Sequence, residues 1–95
     1  MFNNQRYVTR GITNTVPLVT QIILWDCIDS MKVERKDYLQ VFKLIATGAN
    51  QQVTHSQQEP AYERTFTVPT DNPITAKIFV IDDETHSTML LAEEY

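Results

Sequence analysis

Apolar positions along the chain fall into short runs with two different periods. "YERTFTV" (62–68) alternates cleanly: Tyr62, Arg64, Phe66 and Val68 point one way, and Glu63, Thr65 and Thr67 the other. "DYLQVFKLIA" (37–46) and "ITAKIFVI" (74–81) are rich in β-branched and aromatic residues and read as strands. "STMLLAEE" (87–94) reads as another strand, joined to its predecessor by "DDETH". "RYVTRGIT" (6–13) predicts a short first strand whose apolar members are Tyr7, Val8 and Ile12. Helical spacing occurs only in "NTVPLVTQIILWDCIDSMK" (14–32), with Thr15 as N-cap and Pro17 tolerated in the first turn. "TGAN" and "PTDNP" are turn or loop signals, and "QQVTHSQQE" (51–59) is a polar extended segment ended by Pro60. The order β-α-β-β-β-β, with short connections between consecutive strands, predicts an α+β fold. One helix packs on a mostly antiparallel sheet of about five strands.

Both element types are apolar on two sides. On the helix, Thr20, Ile23, Leu24, Cys27, Ile28 and Met31 form a broad face, and Leu18, Ile22 and Trp25 form a second stripe. The strand at 37–46 sets Tyr38, Phe42 and Leu44 against Leu39, Val41 and Ile45. The next pair sets Ile74, Ile78 and Val80 against Phe79 and Ile81, and Met89 and Leu91 against Leu90 and Ala92. A sheet that is apolar on both faces must be covered on both, and one helix covers one. Two outcomes follow: the sheet curls on itself, barrel-fashion, or a second chain (a partner protein or another copy in a homodimer) covers the rest.

Length bounds the remaining possibilities. Ninety-five residues make a single domain, 1–95. No apolar run approaches the roughly 20 residues that span a bilayer, and the start "MFNNQRYVTRG" lacks the apolar core of a secretory signal. The lone cysteine, Cys27, excludes an internal disulfide; together these point to the cytoplasm and to no membrane partner. The net charge of −4 is uneven. Residues 1–70 hold six acids against seven bases, whereas residues 71–95 hold six acids against Lys77 alone. A clustered basic footprint is missing, which argues against direct nucleic-acid binding.

Candidate chemistry is sparse. Two glycines, Gly11 and Gly48, cannot build a phosphate-cradling loop. Asp82, Asp83, Glu84 and His86 offer oxygen and nitrogen ligands at close spacing, the pattern of a divalent-metal site, but Asp-rich hairpin loops have the same composition because Asp caps local backbone groups. Glu93 and Glu94 read as a solvated terminus. Cys27 falls on the apolar helix face, so a cysteine–histidine nucleophile is not expected. No cofactor motif is present. Trp25, with Leu18 and Ile22, is either core or an interface anchor, since tryptophan dominates interface hot spots.

Taken together, "RYVTRGI", the "VP" at a helix start, mid-helix Trp25, "DYLQVF" and the closing "AKIFVIDDETHSTMLLAEEY" resemble a known family. It comprises small proteins of Gram-positive bacteria and their mobile elements, catalogued as a domain of unknown function, number nine-sixty. The resemblance implies a compact cytoplasmic α+β domain and carries over no catalytic residues. Apolar surface in excess of what one helix can cover, with no catalytic constellation, leads instead to the expectation of a small non-enzymatic protein-interaction module with an unidentified protein partner, using Leu18, Ile22 and Trp25. The alternative is an acidic mimic of nucleic acid, with Asp82, Asp83 and Glu84 standing in for consecutive phosphates against a basic channel. A metal-dependent hydrolase at the same hairpin ranks third.

Overall fold

The computed structural model describes all 95 residues. Strand β1 (Gln5–Val8) is followed by helices α1 (Arg10–Thr15) and α2 (Leu18–Asp29). Strands β2 (Leu39–Thr47), β3 (Asn50–Gln57), β4 (Tyr62–Pro69), β5 (Ala76–Asp82) and β6 (His86–Leu91) come next, and a single 3-10 turn, Ala92–Glu94, closes the chain. The strands form one six-stranded sheet in the order β1-β6-β5-β2-β3-β4. Only β1 runs parallel to its neighbour, β6; the other pairings are antiparallel. The α+β class and the mostly antiparallel sheet hold.

Several local expectations change. "RYVTRGIT" is not one strand: β1 stops at Val8, and the Thr9 hydroxyl accepts from the Ile12 N–H to cap α1. The long helix begins later than expected, at Leu18, because Val16 is extended and Pro17 occupies the cap position. Thr15 therefore ends α1 instead of capping α2. Residues 51–57 of the polar run lie within β3, between β2 and β4. The predicted last strand stops at Leu91. At the "TGAN" turn, Gly48 takes φ +62°, a left-handed conformation that glycine adopts without steric cost. The sheet also does not curl into a barrel. β1 and β4 are free edges, and closure would require them to pair.

One face of the sheet carries the core. Phe42, Leu44, Val53, Ile78, Val80 and Met89 pack with Ile12, Val16, Leu24, Cys27 and Ile28 of the two helices. Phe2, ahead of β1, is fully buried in the same cluster. Tyr38, expected beside Phe42, lies ahead of β2 and is half-exposed; Gln40 takes the buried position. Gln40 belongs to a polar layer within the core. Its Nε2 donates to the Asp37 carbonyl and to Gln57 Oε1, both at 2.8 Å, which turns its Oε1 toward His55 Nε2 at 2.7 Å. His55 therefore donates from Nε2, and its Nδ1 is left without a partner. The ring stacks on Phe42 and meets Tyr62 edge-on. Burial, with the Arg64 guanidinium adding to it, pulls the His55 pKa down to about 4. Gln57 and Gln51 tie the strand to the carbonyls of Arg35, Pro60, Ile45 and Ile74. Each buried amide is thereby satisfied, which is the condition for a polar group in a core.

Candidate functional site

The acidic hairpin is built by its own backbone. Glu84 takes φ +80°, and the Asp83 N–H donates to the His86 carbonyl to close the β5–β6 turn. Asp83 Oδ1 accepts from the backbone N–H groups of Thr85 and His86 and from the Thr85 hydroxyl. Those bonds, the one from His86 first, hold its carboxyl below the usual carboxylate range. Asp82 points the other way, into the protein, and only 5% of it is exposed. Its carboxylate accepts from the N–H of Phe2, from the Asn4 amide at 3.2 Å and from the N–H of Glu84 at 2.7 Å. Burial pushes the Asp82 carboxyl up, but these hydrogen bonds and the N-terminal ammonium outweigh it and hold its pKa low. Phe2 has φ +66°, a conformation a bulky residue adopts only when its surroundings hold it there. The Asp82 bond and complete burial of the ring do so.

This placement corrects the phosphate-mimic expectation. Asp82 is committed to the N-terminal segment, so Asp82, Asp83 and Glu84 do not present three carboxylates to one partner. Nor do the four side chains weighed as metal ligands gather, since Asp82 and Asp83 diverge and, of the acids, His86 pairs only with Asp83. No group of three or more His, Cys, Asp and Glu side chains is placed to hold an ion. Glu94, read from the sequence as solvated, accepts from the Thr9 hydroxyl and from the N–H groups of Gly11 and Leu91. Cys27 is buried in the core cluster, and burial pushes its thiol up to about 11.

The α2 stripe is placed differently. Leu18 and Ile22 are 69% and 57% exposed on the side of α2 turned away from the sheet. Val19, which the helical pattern did not single out, joins them at 63%. Trp25 is not a free anchor. It packs against the core, and the Arg6 guanidinium covers its ring at 4.6 Å. Arg6 is held there by Asp29 and the Phe2 carbonyl. The exposed stripe is therefore Leu18, Val19 and Ile22, continued one turn on by exposed Asp26. Val19 was findable: it stands three residues before Ile22, on the same helical face.

A second apolar surface is the sheet face opposite the helices. Val41, Phe79 and Leu90 stand in one cross-strand row, and Leu39 and Ile81 in the next. The doubled apolar pattern expected for the strands is thus present, with no helix laid over it. Tyr95 reaches back edge-on to Phe79, the Lys77 ammonium lies 5.6 Å from the same ring, and Leu90 is buried. Beside Leu39 and Val41 a cavity of about 180 Å³ opens between Tyr38 and Ser56. No helix of the chain is long and apolar enough to cross a membrane.

Comparison with known proteins follows the same lines. No curated protein matches the chain. A crystal structure of a protein of unknown function from Enterococcus faecalis superposes with a TM-score of 0.84 over 98% of this chain and 92% of that one. At 24% identity, the likeness is one of fold. The family model described as a staphylococcal protein of unknown function (DUF960) matches residues 5–94. With nearly its whole length matched, the chain belongs to the DUF960 family of staphylococcal proteins of unknown function.

Proposed function

We propose that this protein is a non-enzymatic protein-interaction module of the cytoplasm that binds through the outer face of α2. The carrying observation is the exposed stripe of Leu18, Val19 and Ile22 on a short helix whose opposite side already fills the core. A surface helix ordinarily turns its apolar stripe to the core and polar residues outward; α2 carries apolar residues on its outer side as well. The residues that could do nucleophilic chemistry support the same reading. Cys27 and His55 are sealed in the interior, and His86 stands in an exposed turn beside Asp83.

The reading is tested by affinity capture from cytoplasmic extract with three baits: wild type, Ile22→Glu and the double variant Asp83→Asn/Glu84→Gln. Proteins retained by wild type and by the turn variant, and lost with Ile22→Glu, are the expected result. Equal retention by all three baits, or loss with the turn variant alone, contradicts it.

A further inference from the structure

The outer face of α2 and the open face of the sheet lie on opposite sides of the molecule and carry complementary features. On the sheet, Lys43 stands directly opposite Lys77 in the β2–β5 register, and both are exposed. Like charges directly opposite one another weaken a sheet. Neither ammonium is neutralised within the chain, whose ion pairs are Arg6–Asp29 and Asp83–His86. One row along from the lysines come Val41 and Phe79, so the face reads apolar and then basic. The stripe on α2 reads apolar and then acidic, from Ile22 to Asp26. The steps match in length. Four helical residues rise about 6 Å, and two strand residues advance about 6.6 Å.

We propose that the open sheet face of one copy receives the outer face of α2 from a second copy, Ile22 seated on the Val41–Phe79 row and Asp26 set against Lys43 and Lys77. This identification of the occupant rests on the reading of α2 as the binding surface. Charge disfavours the symmetric alternatives. Two sheet faces packed about a two-fold axis at the lysine row would bring four ammonium groups together. Two α2 helices packed antiparallel about Ile22 would lay each Asp26 over Leu18 of the other copy. A polyanionic occupant such as nucleic acid or an anionic membrane would find only this lysine pair, in a chain without the clustered basic footprint such binding needs. Because the two contacting surfaces differ, the contact repeats, giving a ring if the rotation closes and an open chain if it does not.

The test is light scattering on the intact protein from micromolar to millimolar concentration. Wild type should rise above the monomer mass as concentration increases. Ile22→Glu blocks the helix surface, and Lys43→Glu/Lys77→Glu blocks the sheet surface. All three positions point to solvent, so melting temperatures close to wild type are expected. Each variant alone should be monomeric, yet an equimolar mixture should form a dimer that grows no further, because each retains one working surface. Asp26→Lys should weaken assembly by about tenfold or more, a loss of about 1.4 kcal/mol. A wild type that stays monomeric throughout overturns the proposal. So does a mixture that stays monomeric while wild type assembles, which marks a symmetric contact. Lysine-dependent binding of a thymidine oligonucleotide or of anionic vesicles without self-association also overturns it. If wild type is monomeric but Ile22→Glu still loses a captured protein, the second copy is excluded and the interaction module stands.

Discussion

The Thr9 hydroxyl donates a 2.6 Å hydrogen bond to the Glu94 carboxylate, 85 positions along the chain. The same carboxylate accepts from the Gly11 and Leu91 N–H groups. One exposed acid thus ties the start of α1 to the end of β6. The Thr9 bond first, then that from Leu91, holds its carboxyl below the usual range. It also explains Gly11, where an added Cβ would stand 2.5 Å from the Glu94 carboxylate. Ala is normally the better helix residue by about 0.5–1 kcal/mol. Gly11→Ala should therefore lower the melting temperature of wild type and raise it in a Glu94→Ala background. Thermal melts of the four proteins check this; the same sign in both backgrounds would disprove the clasp. Thr9→Ala should cost about 1 kcal/mol through the lost cap.

Asp82 predicts an unequal hairpin. Asp82→Ala leaves the Phe2 N–H buried without its acceptor and frees the Asn4 amide, a loss of about 2 kcal/mol for a charged buried acceptor. Asp83→Asn and Glu84→Gln alter exposed groups and should shift stability much less. Urea unfolding of the three variants separates them, and equal effects would refute the inward role of Asp82.

What could be read from the sequence was local. The clean alternation of 62–68 and the β-branched run 74–81 fix strands with their immediate neighbours, and both are found. The contacts that misled are long-range. Asp82 looks like a turn residue until Phe2, 80 positions away, supplies its donor. Glu94 looks solvated until Thr9 arrives. Gln51, His55 and Gln57 look like part of a solvated extended segment because their distant partners, the carbonyls of Ile74 and Arg35 and the side chain of Gln40, are invisible to hydrophobic periodicity. Trp25 reads as either core or anchor until Arg6, from β1, covers it.

His55 sets a pH dependence. Its folded pKa of about 4 lies below the ordinary value of 6.5, so the unfolded chain binds its proton first. Stability from this group is full above pH 6.5 and falls as pH drops toward 4, by about 3 kcal/mol in all. The depressed carboxyls of Asp82, Asp83 and Glu94 add losses at lower pH, which begin as the unfolded chain's carboxyls protonate in their usual range and end only when the folded forms protonate below it. His55→Gln keeps an amide donor for Gln40 and should remove the upper part of the slope while leaving the lower. Urea midpoints for both proteins at several pH values decide the matter; a slope unchanged by the substitution would assign it to other groups.

Leu18, Val19 and Ile22 form the surface that another protein is proposed to cover. Methyl-labelled protein followed by NMR as unlabelled cytoplasmic extract is added tests this directly. The methyl signals of Leu18, Val19 and Ile22 should shift or broaden first and most. Backbone signals of Asp83 and Glu84 should stay in place. Unmoved α2 methyls, with the perturbation centred on the acidic turn, would contradict it.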